Sequence, residues 1–292
     1  MASVDTDPPL VVIIGPTASG KTSLAIEVAL QFGGEVICAD SRTVYKDMDI
    51  GTAKPTKTEQ RGIPHWGLDV ASPEKRYSAA QFQSYAQEKI DDIRCRGRLP
   101  IMVGGTGLYV DSVLFSYEYP IPPTDKQTAM IESMNNESLV VYCNKHNIEL
   151  PMNDKNRRHL VRAVLSKNGN IGSKRGIEAN TVVVGITTNK EVLKQRIEQR
   201  TEQMFEHGVV VEATMLGEKY GWDSEAMTSN VYRSLKKYLD TELSLEEAKD
   251  TFKTRDWQLA KQQMTWFRRN PHIEWCVASE AFGYISARLA TE

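Results

Sequence analysis

Apolar residues in this chain fall into short unbroken runs, separated by stretches in which they recur every three or four positions. Leu10-Val11-Val12-Ile13-Ile14 is the first run, and residues 21–32 carry helical spacing. Glu35-Val36-Ile37-Cys38-Ala39 follows as a second run that ends at Asp40-Ser41. From Ser78 to Arg96 the spacing of Phe82, Tyr85, Ala86, Ile90 and Ile93 predicts a helix, with Ser78 as its cap. Pro100-Ile101-Met102-Val103 is a third run and leads straight into Gly104-Gly105-Thr106. Runs apolar at every position belong to strands buried on both faces, which means a parallel sheet covered by helices. The reading is therefore α/β, a P-loop-type doubly wound parallel sheet, with ligands expected at the carboxyl ends of its strands.

Between the second run and the Ser78 helix, residues 41–76 carry Gly51, Pro55, Gly62, Pro64 and Pro73 and little periodicity, so an ordered surface loop is expected. The pattern changes again at Pro120-Ile121-Pro122-Pro123. Two polar helical stretches follow, at about 124–146 and 153–167. After them comes the glycine-, serine- and asparagine-rich segment 167–176, which is expected to be mobile. Thr181-Val182-Val183-Val184-Gly185-Ile186 then resumes the buried-strand pattern. Residues 118–178 are thus expected to form a helical insertion in a core made of 1–117 and 179–292. The remainder predicts helices at 189–207, 209–219, 230–239 and 244–269, and a last strand at 273–277.

Composition narrows the function classes only a little. The 292 residues are 40% hydrophobic and 25% charged, with a formal net charge of −2, which is ordinary globular material. No apolar run approaches the ~20 residues of a membrane span. The acidic start, Met1 to Pro9, is no secretory signal, so a cytoplasmic protein is expected. Cys38, Cys95, Cys143 and Cys276 stand far apart and offer no zinc-ligand spacing.

Gly15-Pro16-Thr17-Ala18-Ser19-Gly20-Lys21-Thr22 changes the picture. It is a complete G-x-x-x-x-G-K-[ST] phosphate loop between a predicted strand and a predicted helix. Backbone N–H groups would cradle a di- or triphosphate, Lys21 would place a point charge on it, and Thr22 would offer a hydroxyl to Mg²⁺. The guanine-reading N-K-x-D pattern is absent, since Asn189-Lys190-Glu191-Val192 lacks the acid. The third run ends in Gly-Gly-Thr, where a mechanical ATPase usually places an acid. Asp40, at the end of the second run, is left open between a Walker-type acid and a base beside the loop.

The stretch from Asp40 to Pro55, DSRTVYKDMDIGTAKP, resembles the signature of the tRNA dimethylallyltransferases. Further similarities follow in order. They are Gly104-Gly105-Thr106-Gly107-Leu108-Tyr109, then Asn153-Asp154 with Arg158-His159-Leu160-Val161-Arg162-Ala163. Next come Leu193, Arg196-Ile197, Arg200, Met204 and Gly208, and finally Ala260 to Arg269. Together they cover about residues 11–275, and a bacterial-type member is the expectation.

The resemblance implies transfer of a dimethylallyl group from its diphosphate to N6 of adenosine 37 of a tRNA. It makes Gly15 to Thr22 the diphosphate cradle, with Mg²⁺ at Thr22. Asp40, Thr106 and Lys21 are then the catalytic set. Asp40, Ser41, Arg42, Thr43, Thr106, Arg158, His159, Leu160, Val161, Arg162, Lys261 and Arg268 are candidate tRNA contacts. The insertion becomes a mobile RNA clamp on a protein expected to act as a monomer and away from membranes. The chain departs from the family pattern at Asn230-Val231, at Gln262 and at His159. Three rivals remain: an enzyme prenylating free adenine nucleotides, a small P-loop kinase, and a non-catalytic RNA-binding protein.

Overall fold

Each unbroken apolar run becomes a strand because every one of its side chains has a helix or a neighbouring strand to bury against. The structure, a computed structural model, describes residues 7–119, 124–166, 176–178 and 180–290. The strands are β1 (Leu10–Ile14), β2 (Gly34–Cys38), β3 (His65–Trp66), β4 (Leu99–Gly104), β5 (Thr181–Thr187) and β6 (Glu274–Val277). They form one sheet in the order β3-β2-β4-β1-β5-β6, and every pairing is parallel. β1 lies between β4 and β5, with Ile14 opposite Gly104 on one side and Gly185 on the other. The carboxyl ends of β1, β2 and β4 therefore lie side by side, where an open α/β sheet binds ligands.

Helices α1 (Lys21–Phe32), α2 (Ala79–Cys95) and α3 (Gly107–Leu114) belong to the first half of the sheet. Ser78 caps α2 in a reciprocal box with Gln81, as its position before the periodic stretch predicts. One face of the sheet is sealed by Leu24, Ala25 and Val28 of α1, together with Ala281 and Ile285 of α11 (Ala278–Ala290). Neither α3 nor α11 was expected.

The chain divides into two units: residues 1–113 with 177–292, and residues 114–176. The sequence placed these boundaries at 117/118 and 178/179. The smaller unit holds α4 (Asp125–Ser133), α5 (Asn136–Lys145) and α6 (Arg157–Ser166). The stretch expected as one helix over 124–146 is two, because Asn135 adopts an extended backbone and caps α5 through Ser138 N–H. Its own core is Ile131, Leu139, Cys143, Ile148, Leu160 and Val164. Residues 167–175, expected to be mobile, lie outside the described residues.

In the larger unit the chain continues through α7 (Lys190–Glu206), α8 (Val209–Tyr220), α9 (Asn230–Leu239) and α10 (Leu245–Phe267). Ser244 and Glu247 close a second reciprocal cap at the start of α10. Among the described residues no helix is long and apolar enough to cross a membrane.

Candidate functional site

The turn after β1 is tight because its glycines have no room for a side chain or need a left-handed backbone. A Cβ on Gly15 would meet Ser19 Oγ at 2.8 Å, and Gly20 has φ +89°. Ala18 also takes a positive φ, 60°, a conformation that a non-glycine residue holds only where its surroundings fix it. Lys21, on the first turn of α1, reaches back to the Pro16 carbonyl at 3.1 Å. Burial lowers its ammonium to about 8, against the pull of Asp40, and Arg200 lowers it further.

The loops after β2 and β4 meet this turn. Gly104 permits the approach, since a Cβ there would lie 2.0 Å from the Ala39 carbonyl oxygen. Thr106 N–H donates to Ala39 O at 3.2 Å, and Ser41 N–H donates to Thr106 Oγ1 at 2.9 Å. Asp40 Oδ1 accepts from Arg42 N–H at 2.8 Å and from Thr43 N–H at 3.4 Å. Oδ2 of the same carboxylate makes no protein hydrogen bond among the described residues. The crevice has a volume of about 580 Å³, and Lys21, Thr22, Asp40, Ser41, Thr43 and Thr106 all line it.

The sequence grouped these residues correctly, but it missed what holds them. Gln263 of α10 accepts from Thr17 N–H at 2.8 Å and donates to Gly105 O at 3.1 Å. One amide thus ties the phosphate loop to the β4 loop. From α7, Arg200 donates to Thr17 Oγ1, and Arg196 donates to Ser19 O at 3.3 Å. Their spacing of one helical turn puts both on the face towards the phosphate loop. Gly51 also lines the crevice, and Glu212 of α8 accepts from the N–H groups of Asp49, Ile50 and Gly51 at 2.9, 2.7 and 2.8 Å, and from Tyr232 Oη at 2.7 Å. Gly51 is required there because a Cβ would strike the Tyr232 ring at 2.6 Å.

Asp256, also on α10, is buried in the crevice wall and accepts from Asn230 Nδ2 at 3.0 Å. Desolvation raises its carboxyl above the usual range, and Arg200 opposes that shift. Arg200 and Gln263 stood inside stretches that carry the family resemblance but with no role attached, and Glu212 and Asp256 were visible only as polar residues within predicted helices. The buried atoms Thr43 Oγ1, Arg200 Nε and Ser229 Oγ line or border the crevice and have no protein partner. Buried polar atoms of this kind are normally satisfied, so the crevice is built for a polar, anionic ligand.

Other expected contacts fall elsewhere. Arg42 sends its guanidinium to Glu225 O at 3.0 Å and Thr228 Oγ1 at 3.1 Å, so the side chain ties a loop beside the crevice while its backbone N–H holds Asp40. Arg158, His159 and Arg162 are exposed on α6. Leu160 is not on that face: it is fully buried in the core of the insertion, which corrects the expectation that it touches RNA. Val161 is half-buried against the same core, for the same reason of helical phase. Lys261 lies exposed on the outer side of α10, and Arg268 is exposed just past its end. Phe267 is core, and Trp266 donates to Asp111 Oδ2 at 2.8 Å.

A phosphate loop on a central parallel strand, faced by two arginines and a partly free carboxylate, defines a P-loop enzyme acting on a phosphorylated substrate. The chain belongs to the IPP transferase family, the tRNA dimethylallyltransferases: the family model described as IPP transferase matches residues 43–270. A second model, Isopentenyl transferase, matches residues 8–72. The chain is 37% identical to a tRNA dimethylallyltransferase of Staphylococcus carnosus, covering 92% of this chain and 90% of that one. It is 38% identical to another from Desulforudis audaxviator, over 96% and 95% of the two chains. Among solved structures, the tRNA isopentenylpyrophosphate transferase of Bacillus halodurans is similar with a TM-score of 0.76. Identity there is 34%, and 98% of each chain is covered. A eukaryotic dimethylallyltransferase acting on tRNA is similar with a TM-score of 0.77 at 25% identity, over 97% of this chain and 77% of that one.

Proposed function

We propose that this chain transfers the dimethylallyl group of dimethylallyl diphosphate to the exocyclic N6 of adenosine 37 in tRNA, releasing diphosphate. The observation that carries the reading is the shared crevice: a phosphate cradle and a carboxylate with a free oxygen face one volume. The diphosphate lies on the phosphate loop, where backbone N–H groups, Lys21 and Arg200 neutralise the charge that grows as the allylic C–O bond breaks. The C–N bond forms to adenine N6, whose lone pair is otherwise delocalised into the ring. Asp40 Oδ2 accepts the N6 proton, while its other oxygen stays fixed by two backbone N–H groups. Thr106 Oγ1 retains a lone pair beyond the one that Ser41 N–H uses, and holds the adenine amine in line.

Mg²⁺ fits the donors present. Among the described residues no cluster of three or more His, Cys, Asp or Glu could form a protein cage. Thr22 supplies one hydroxyl beside the cradle, in keeping with an ion that relies on substrate phosphates and water. Thr22 would hold the ion, which would add positive charge against the leaving diphosphate. The target base is stacked in the anticodon loop and enters by flipping out. Arg158 and Arg162 of the insertion, with Lys261 of α10, contact the RNA backbone in a monomeric, cytoplasmic enzyme.

Mass spectrometry of nucleosides from unmodified tRNA, incubated with the protein, dimethylallyl diphosphate and Mg²⁺, tests the reading. The expected product is one prenylated adenosine per tRNA, at position 37 alone. Product on free AMP, ADP or ATP with none on tRNA would overturn it, as would transfer of phosphate from ATP.

A further inference from the structure

Five charged side chains line the crevice: the cations Lys21, Arg42 and Arg200, and the carboxylates Asp40 and Asp256. Four of them are accounted for. Lys21 and Arg200 face the leaving group, Asp40 accepts the N6 proton, and the Arg42 guanidinium is tied to Glu225 O and Thr228 Oγ1. Asp256 has no task in the reaction just described, although it is only 6% exposed in the wall of a cradle built for an anion. A carboxylate in that place opposes the ligand that the cradle binds.

Each element around Asp256 bears on its charge. On α10 itself, the residues one turn away are Phe252 and Ala260, both buried and apolar, and desolvation is the largest influence on the carboxyl. From the start of α9, Asn230 Nδ2 donates to Oδ1 at 3.0 Å and favours the charged form. The Arg200 charge, from α7, acts in the same direction, and the Asp40 charge, from the loop after β2, acts against it. Arg233 and Arg255 belong to α9 and α10 but line a separate hollow, outside the crevice wall. Arg200 is also bound to the phosphate loop, since it donates to Thr17 Oγ1, and its Nε is buried with no protein partner. One guanidinium thus serves the phosphate loop and the Asp256 carboxylate at once.

A diphosphate on that loop brings several negative charges to the same guanidinium. Two anions that share one cation in a partly buried site each make the other more costly, and a carboxylate can escape the clash by taking a proton. We propose that Asp256 is a positioning residue that acts on the donor site through Arg200: its carboxylate balances the guanidinium while the cradle is empty, takes up one proton from solvent as the diphosphate arrives, and returns it as the diphosphate leaves. Burial already raises the carboxyl above the usual range, which is the direction that favours uptake. The inference rests on the diphosphate reading above and adds a proton to the binding step. Once ionised again, Asp256 competes with the product for Arg200, so the cradle that stabilises the leaving group also lets it go.

The test uses the full chain and inorganic diphosphate without Mg²⁺, with affinity measured by isothermal titration from pH 4.5 to pH 7 in wild type and Asp256→Asn. The ratio of the two affinities cancels the titration of diphosphate itself, and Lys21, at about 8, stays charged over this range. As the pH falls, both proteins carry a neutral group at position 256 and the ratio should approach one. As it rises, the wild type must take up a proton or bear the repulsion, so Asp256→Asn should bind about tenfold tighter by pH 7. Titration in buffers of different ionisation heat should show the wild type taking up more protons per diphosphate than Asp256→Asn, by up to one. Asn230→Ala is a second variant. It keeps the acid and removes the amide that favours its charged form, so its proton uptake should peak at a higher pH than in wild type.

An affinity ratio of one at every pH would overturn the proposal. So would an Asp256→Asn protein weaker than wild type by the same factor throughout, since Asp256 would then only prop the wall. A protein that prenylates tRNA but shows such a flat ratio would leave the function above standing and remove this role alone. Diphosphate binding with the expected pH pattern in a protein that prenylates no tRNA would overturn the prenylation reading instead, and the role of Asp256 would stand on the binding data.

Discussion

The crevice and the α6 face of the insertion both present basic and polar groups, yet they are built in opposite ways. In the crevice nearly every functional group is held by a second one. Thr17 and Gly105 share Gln263, the wall at Asp49–Gly51 hangs on Glu212, and Asp40 is pinned by two backbone N–H groups. On α6, Arg158, His159 and Arg162 stand exposed over a small core, and among the described residues their side chains make no hydrogen bond or ion pair, whereas Arg157 donates to Met134 O and Glu132 O. Bond making at one carbon needs positions held in advance. Attraction for a phosphate backbone needs only charge in reach, and the freedom of long side chains does it little harm.

The largest effect that could break this contrast concerns Asp40. Asp40→Asn keeps the size and the Oδ1 contacts and removes the proton acceptor. Single-turnover prenyl transfer should fall by about 10²–10⁴-fold, with dissociation constants for tRNA and dimethylallyl diphosphate close to wild type. Near-normal turnover would show that the fixed carboxylate is only architecture.

Next in size is the insertion. Arg158→Ala/Arg162→Ala should weaken tRNA binding by about tenfold at moderate salt and flatten its salt dependence, while dimethylallyl diphosphate binding stays unchanged. If the donor is lost as well, the two regions are not independent and the comparison fails.

Lys21 gives a smaller and pH-specific effect. With its free-enzyme value at about 8, it is charged below that pH and loses its proton above it. Bound diphosphate favours the charged form, so donor affinity should be flat at lower pH and should fall above pH 8, by about tenfold per unit at the steepest. Isothermal titration of diphosphate from pH 6.5 to 9.5 reads this directly, and a flat profile would place the ammonium outside the cradle.

Asp256→Asn is the mildest test. Desolvation raises the Asp256 carboxyl above its unfolded value, so the folded state favours the protonated form. Ionisation at neutral pH therefore costs stability, and that cost vanishes at low pH, where both states are protonated. The Asn variant should melt about 2 °C higher at pH 7, with the difference shrinking as the pH falls and gone only well below the ordinary carboxylate value of 3.8. A lower melting point at pH 7 would mean that pairing with Arg200 outweighs the burial.

Much of this was legible in residues that answer to local rules. β1, β2, β4 and β5 came from unbroken apolar runs, α2 from Ser78 and its periodic stretch, and the phosphate loop from eight consecutive residues. The groups around Asp40 and Thr106 were placed together because strand ends in a parallel sheet converge. What escaped depended on distant partners. Gln263 lies 246 positions from the Thr17 it anchors, and Glu212 lies 163 from Asp49. A polar residue on a helix looks the same whether it faces water or a buried N–H. Leu160 failed for a related reason: a motif read as a block hides the fact that helical phase turns one residue in four inward. β3 is two residues long, too short for any periodicity to announce.

The Gln263 amide also sets an order in time. The phosphate loop leaves the ribosome before the residue that ties it to the β4 loop, which lies 246 positions downstream. At about 5–20 residues per second, roughly 12–50 s of synthesis separate the two. Throughout that interval the nascent chain carries a complete phosphate-binding motif in an unfinished cradle. A chain cut short anywhere before α10 would keep the motif and lack the amide that closes it, so an incomplete product cannot assemble the finished donor site.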